Sequence, residues 1–186
     1  LVGDPACGLN ESVSKEINID SVQFLKDNFK GRIIFISTCS VYGVAERELK
    51  ESSALNPLSL YANTKLASEK ILTNSNVLIF RLGTLYGVGD SFSRIKFDLV
   101  VNTLVMRAYF YGKISVFGGK QYRPFLHVRD AATMIYSVLS KKNTGIYNLH
   151  DENATILDVA EQIKGYFPEL EIETSDGKRT VCQPGD

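Results

Sequence analysis

The sequence predicts an α/β fold, a parallel sheet with helices on both faces, on three observations. Helical and buried-strand patterns alternate from the start of the chain, the order that parallel strands joined by crossover helices require. Two short β-branched runs, "RIIFIS" (32–37) and "NVLIFRL" (76–82), are apolar almost throughout instead of alternating, as strands covered on both faces are. The chain has 186 residues, 44% of them hydrophobic, enough for a sizeable core.

The elements follow in order. In "ESVSKEINIDSVQFLKDNF" (11–29), Val13, Ile17, Val22, Phe24 and Leu25 form an approximate helical stripe beside charged positions. After the first strand, Asn56 and Pro57 signal a helix start, and Leu60, Lys65, Leu66, Ile71 and Leu72 carry the helix to Asn74, just before the second strand. Beyond residue 87 the grammar changes. "RIKFDLVVNTLVMRAYFYG" (94–112) reads as a long helix, "KISVFG" (113–118) and "RPFLHV" (123–128) as strands, and "RDAATMIYSVLSKK" (129–142) as a helix. "GIYNLH" (145–150) is a further strand, and "TILDVAEQIKGYF" (155–167) a helix with Thr155 as N-cap. The loop "GVGDSFS" (87–93) is the best hinge or lid candidate, because its glycines and serines permit movement.

Bulk properties exclude several functions. Lys plus Arg and Asp plus Glu number 21 each, so no one-sign field favours nucleic acid. Cys7, Cys39 and Cys182 lie far apart without a C-x-x-C pair, which indicates neither a zinc site nor a disulfide framework and fits a reducing cytoplasm. Only His127 and His150 are available, so chemistry built on several histidines is out of reach. No apolar run approaches a membrane span, and no secretory leader is expected before the first polar residues.

The chemistry concentrates in "STCSVYGVAERELKESSALNPLSLYANTK" (37–65). Tyr61 and Lys65 are spaced i, i+4, so on a helix both side chains reach one small volume. A phenol with a reference pKa of about 10 is a poor base near neutrality, and a neighbouring ammonium favours its ionised form. Thr38 stands where the first strand ends, and ligands collect at the carboxyl ends of parallel strands. A hydroxyl there can hold the reacting oxygen against the phenol. The three residue types converge on reversible oxidation of an alcohol.

Four segments, "FISTCSVYG" (35–43), "NPLSLYANTKLASEKIL" (56–72), "RLGTLYG" (81–87) and "RPFLHVRDAA" (123–132), together span most of the chain in one order. That arrangement resembles the extended short-chain dehydrogenase/reductase family, specifically its nucleotide-sugar epimerases and dehydratases. The resemblance implies a Rossmann-like sheet, NAD as cofactor with NADP not excluded, and a nucleoside-diphosphate sugar as substrate. It implies Tyr61 as acid/base, Lys65 as the residue that lowers the phenol's pKa and binds the nicotinamide ribose, and Thr38 as a substrate contact. Asn18 matches an asparagine placed beside the cofactor, against the plainer reading of a polar residue in a helix. Thr84, Arg94, Asn102 and Arg123 match positions on the substrate side, with Lys96 a further charge near the loop. Arg123 is aimed at the diphosphate, a role suited to a guanidinium fork. His127 and Asp130 are expected to be structural, Asp130 as a cap or arginine partner. The resemblance also implies a homodimer joined through a four-helix bundle of the helix from Glu11 and the one bearing Tyr61.

The chain departs from the family in places. No G-x-x-G-x-x-G is found: "GVGD" (87–90) and "GGK" (118–120) lack the needed spacing and read as turns. "LVGDPACG" (1–8) resembles the end of the family's fourth strand, and Gln183 stands where an arginine often meets phosphate. The expectation is therefore a fragment. Residues 1–87 would be the C-terminal part of the NAD(P)-binding domain, and 88–186 mainly a substrate-binding region, with 120–150 returning to the first domain. Cys39 and Ser40 occupy the positions where 4,6-dehydratases carry Asp and Glu, which disfavours dehydration. C4 epimerisation is the leading reading, a C4 dehydrogenase or ketoreductase the alternative, and a non-catalytic dinucleotide-binding or regulatory protein the alternative of another class.

Overall fold

A computed structural model of the chain describes residues 1–44, 48–73, 76–92 and 96–175. Contacts divide it into two compact units, Leu1–Gly83 with Met134–Leu149, and Thr84–Thr133 with His150–Asp186. The segment grouped with the first unit is thus 134–149, against the 120–150 expected to return to it.

In the first unit, β1 (Ile33–Thr38), β2 (Val77–Leu82) and β6 (Gly145–Leu149) form a three-stranded parallel sheet in the order β1-β2-β6. The register pairs Ile33 with Val77 and Thr38 with Leu82, and β2 is buried along its whole length. The continuous apolar runs are thereby explained, since both sides of the central strand are covered. The Rossmann-like α/β class expected from the pattern is the class observed.

Helix α4 (Leu60–Leu72) links β1 to β2 and packs its end on the sheet, where Leu72 meets Val77 and Ile79 beside Phe35 and Val22. It starts at Leu60 and not at Asn56–Pro57, because the hydroxyl of Ser59 accepts the Ala62 N–H at 3.2 Å and so supplies the N-cap. Asn56 serves the preceding loop instead, where its N–H donates to the Val41 carbonyl at 3.0 Å and closes the chain between them.

The expected helix over 11–29 is broken into three pieces. After α1 (Asp4–Gly8), α2 (Glu11–Lys15) is capped by Asn10, a π-turn covers Glu16–Asp20, and α3 (Ser21–Asn28) follows. The wider turn leaves the Asn18 carbonyl able to accept a 2.5 Å bond from the Ser68 hydroxyl of α4. The Lys26 ammonium caps the end of α4 at the Ile71 carbonyl. Arg32, just before β1, donates to the carbonyls of Val138 (2.7 Å), Leu139 (3.3 Å) and Asn143 (2.8 Å), closing the end of α6 (Val128–Val138).

In the second unit, β3 (Thr84–Tyr86), β5 (Tyr122–His127) and β7 (Glu152–Thr155) make a mixed sheet, and β4 (Lys113–Phe117) pairs in parallel with β8 (Glu171–Ser175). Helices α5 (Val100–Tyr111) and α7 (Ile156–Tyr166) enclose a core that includes Leu104, Ile114, Val116, Phe125 and Ile163. Thr155 caps α7 as expected, in a capping box with Asp158.

Gly43 ends the turn after β1 with φ +74°, and a Cβ there would stand 2.2 Å from the Asn56 carbonyl oxygen. Gly43→Ala is expected to lower unfolding free energy by more than about 1 kcal/mol, from the left-handed backbone and the clash together. Urea unfolding of the two proteins side by side measures it.

Candidate functional site

The site begins where β1 stops. Thr38 is buried in extended conformation, and the chain turns at once into a short 3-10 segment, Cys39–Tyr42. The Thr38 hydroxyl starts that turn: it accepts the Ser40 N–H at 3.2 Å and donates to the Ser40 hydroxyl at 3.2 Å. The phenol of Tyr61 lies near enough to that hydroxyl for Thr38 to favour its ionised form.

Tyr61 and Lys65 sit in the first half of α4 and are both half-buried. The Lys65 ammonium donates to the Ile36 carbonyl of β1 at 2.8 Å and lies 4.8 Å from the centre of the Phe35 ring. Strand β1 thus holds Lys65 through its main chain, and its last residue lies beside the Tyr61 phenol. The structure brings Thr38, Tyr61 and Lys65 to one strand end.

The electrostatics differ from the sequence expectation. Burial pushes the Tyr61 phenol above its ordinary pKa; the Thr38 hydrogen bond pulls it down, and Cys7, Cys39 and Asp4 push it further up. Lys65 is held below its ordinary value by burial, opposed by Cys7 and Glu69. The ammonium spends its charge on the Ile36 carbonyl and the Phe35 ring, so in this state desolvation governs the phenol.

Asn18 is buried in the π-turn, where its amide donates to the Thr64 hydroxyl at 3.1 Å and the Leu1 carbonyl at 3.0 Å. Those bonds tie the N-terminal segment to α4 one residue before Lys65, the structural side of the two readings given for Asn18.

A cluster that sequence reasoning did not single out lies beneath the trio. Glu69, one turn after Lys65, receives Arg81 of β2 through Nε (3.1 and 3.2 Å) and Nη2 (2.6 Å), and accepts the Ser37 hydroxyl. Both charged side chains are almost fully enclosed, at 2% and 3% exposure. Arg81 Nη1 also donates to the Tyr42 hydroxyl at 2.9 Å, and that hydroxyl donates to Asn148 at 2.6 Å. The available signal was an arginine inside an apolar strand run, which needs a buried partner.

The substrate-side candidates belong to the second unit. Thr84 opens β3 and is half-buried, and Arg123 is exposed on β5, paired in register with Ala154. Asn102 was expected to meet substrate. Its carboxamide instead holds both backbone groups of Gly87, accepting the N–H at 3.0 Å and donating to the carbonyl at 3.1 Å, and donates to the Lys96 carbonyl at 3.1 Å. In this state Asn102 ties Gly87 to Lys96, because an amide with two donors matches two backbone carbonyls. Lys96 pairs with Asp98 at 3.5 Å on the surface. His127, and not Asp130, caps α6: its Nδ1 accepts the Arg129 N–H at 3.2 Å. Arg94 and Gln183 lie outside the described residues.

Comparison with known proteins agrees with this architecture. Residues 16–149 match the NAD dependent epimerase/dehydratase family. The chain is 32% identical over 115 residues to the uncharacterized UDP-glucose epimerase YtcB of Bacillus subtilis (strain 168), covering 58% of this chain and 35% of that protein. The UDP-glucuronic acid 4-epimerase of Bacillus cereus, solved in complex with UDP-glucuronic acid and NAD, superposes with a TM-score of 0.70 at 27% identity, over 84% of this chain and 54% of that one. TunA, an NAD-dependent NDP-hexosamine 5,6-dehydratase, superposes with a TM-score of 0.81 at 22% identity, over 96% of this chain and 62% of that one, a likeness of fold.

The chain belongs to the NAD dependent epimerase/dehydratase family. It spans about a third of the length of YtcB and under two thirds of TunA.

The residues present fit the family's cofactor. Lys65 directs one N–H at Ile36 and has two further donors that a cofactor's hydroxyls could use, and Tyr61 lies on the same helix face at the carboxyl end of the parallel sheet. Among the described residues, no cluster of three His, Cys, Asp or Glu is placed to hold a metal ion.

The sign of the phenol's shift is testable. In protein carrying 13Cζ-tyrosine and no cofactor, the Tyr61 signal, identified by its loss in Tyr61→Phe, is expected to titrate above the ordinary value of 10.0. Thr38→Val is expected to raise the midpoint further, since it deletes the bond that favours the phenolate. A midpoint below the ordinary value would mean that the lysine's charge outweighs burial.

Proposed function

We propose that the protein of which this chain is part is an NAD-dependent nucleotide-sugar epimerase that acts by reversible oxidation at C4 of a nucleoside-diphosphate sugar. The observation that carries this reading is the meeting, at one end of the parallel sheet, of the Thr38 hydroxyl, the Tyr61 phenol and a lysine fixed to the same strand. Support comes from the family and from the activities named for YtcB and the Bacillus cereus 4-epimerase.

In this mechanism Thr38 holds the C4 oxygen and Tyr61, as phenolate, takes its proton. NAD, when bound, supplies the acceptor for the C4 hydride and its return. Lys65 holds the ribose with its remaining donors and balances the phenolate's charge. Reprotonation by Tyr61 completes the turnover on either face of the keto sugar, so the same three groups serve both directions. Cys39 and Ser40, which follow Thr38, do not supply the strong acid and base that elimination of water would need. A C4 dehydrogenase or ketoreductase would use the same trio and differ in releasing the oxidised sugar.

The substrate's diphosphate is assigned to Arg123 and, with the loop, Arg94; Thr84 and Asn102 complete the proposed substrate side, Asn102 after leaving Gly87. The proposed compartment is the cytoplasm, on the cysteine spacing. Among the described residues no helix is long and apolar enough to cross a membrane.

The proposed assembly is a homodimer through a four-helix bundle. Val13, Ile17 and Phe24 are exposed along the helices from Glu11, as an apolar interface needs. Phe24→Glu is expected to shift the intact protein from dimer to monomer in sedimentation; an unchanged dimer would place the interface elsewhere.

Incubation of the intact protein with a panel of nucleotide sugars, with and without NAD, tests the activity. Stereochemical conversion without net reduced cofactor is expected, whereas stoichiometric reduced cofactor would make it a dehydrogenase. No turnover with any sugar, together with retained dinucleotide binding, would favour the regulatory class. Tyr61→Phe is expected to lower kcat by about 10²–10⁴-fold with the fold intact; undiminished turnover would move the acid/base elsewhere.

A further inference from the structure

We propose that Ser37 and Glu69 are positioning residues, forming a buried latch that sets the distance between the Thr38 hydroxyl on β1 and the Tyr61–Lys65 face of α4. It rests on the reading of Tyr61 as the acid/base, and reaches residues that touch neither sugar nor cofactor.

Three observations carry it. First, Ser37 precedes Thr38, and its hydroxyl donates to Glu69 Oε1 in a fully enclosed setting. Ser37 therefore ties the strand to α4 one residue before Thr38, where the strand ends and the turn begins. Second, Glu69 lies at i+4 from Lys65 and i+8 from Tyr61, so its carboxylate fixes both the rotation of α4 and its slide along the sheet. Third, the carboxylate is itself immobile: Arg81, in the central strand and held by Tyr42 on its other side, grips both oxygens.

A packing role alone does not need this arrangement, since a well-fitted apolar pair would serve as well or better than two enclosed charges. An ion pair with a fork geometry and a third hydroxyl has one register, whereas an apolar contact tolerates sliding. The Lys65–Ile36 bond falls in the same stretch of β1 and would follow any shift of the helix.

The test reads how strongly Thr38 favours the Tyr61 phenolate. In intact 13Cζ-tyrosine protein without ligand, Ser37→Ala is expected to raise the Tyr61 titration midpoint towards that of Thr38→Val, and Ser37→Thr, which keeps a hydroxyl, to restore it. The groups that face the phenol, namely Asp4 and Cys7 from the N-terminal segment, Cys39 from the turn, and Lys65 from its own helix, are unchanged in these variants. Glu69→Asp, which keeps the charge but shortens the reach, is expected to act in the same direction. With UDP-glucose as the probe substrate, Ser37→Ala is expected to lower kcat on the order of tenfold with KM within about twofold.

An unchanged Tyr61 midpoint in both Ser37→Ala and Glu69→Asp, with only thermal stability reduced, would overturn the proposal and leave the cluster as packing. The spectroscopic arm needs no substrate. If UDP-glucose is not turned over and Tyr61→Phe is silent with every sugar, the proposed function fails; if Tyr61→Phe abolishes turnover while Ser37→Ala leaves midpoint and kcat alone, only the latch fails.

Discussion

The first unit is organised around one enclosed ion pair, Glu69 with Arg81. Taking two charges out of water costs several kcal/mol for each ion, and attraction offsets that cost only when every remaining lone pair and proton is met. Here most of them are met. The carboxylate has three N–H contacts and a serine hydroxyl, and the guanidinium has a tyrosine hydroxyl and the Glu51 carbonyl besides. The pair joins the carboxyl end of the central strand to the helix that bears Tyr61 and Lys65, so strand pairing and helix placement are decided by the same atoms. Loss of either partner would strand a charge in a dry setting, which is why the neighbouring Tyr42–Asn148 bond and the closed loop at Asn56 belong to the same construction.

Above that pair, the site is a contest between burial and hydrogen bonding. A phenol that is to act as a base must ionise, yet enclosure raises its pKa. The opposing influence is the neighbouring Thr38 hydroxyl, which is shared with the following turn. Lysine at i+4 is the expected helper, but its ammonium is drawn to a main-chain carbonyl and a ring face. The two facts are compatible. A lysine already fixed by one N–H presents its others in a set direction, so charge is supplied where a ribose and a phenolate would meet it instead of being spread by a mobile chain.

Much of the first unit was legible in the sequence because its signals are local. Buried parallel strands write themselves as continuous apolar runs, and a helix face writes itself as an i, i+4 pair, so β1, β2 and the Tyr61–Lys65 face could be read without tertiary knowledge. What escaped is tertiary in origin. Strands β7 ("ENAT") and β8 ("EIETS") are too polar to show a buried face; they exist because β5 and β4 offer edges to pair with. The π-turn in "EINID" keeps a helical pattern, and only the buried contacts of Asn18 with Thr64 and Ser68 reveal why a wider turn is held there. Asn102 illustrates a different gap. Its residue type suits a ligand and a loop equally, and its bonds to Gly87 depend on a backbone bend with φ +102° that no local pattern announces.

The hydroxyl of Thr38 shows how closely the resting arrangement approaches a working one. One hydroxyl has one proton to donate and two lone pairs to accept with. The Ser40 N–H takes one lone pair and holds the turn, and the proton is given to the Ser40 side chain, with the Tyr61 phenol nearby. When the phenol ionises it becomes an acceptor only, so the Thr38 proton must swing from Ser40 to the phenolate or to a substrate oxygen. That swing is a rotation about a single bond and leaves the Ser40 N–H contact, hence the turn and strand end, unchanged. The backbone cap therefore separates two duties that share one oxygen: the lone pair that shapes the chain stays occupied, and the proton that serves chemistry remains free to move.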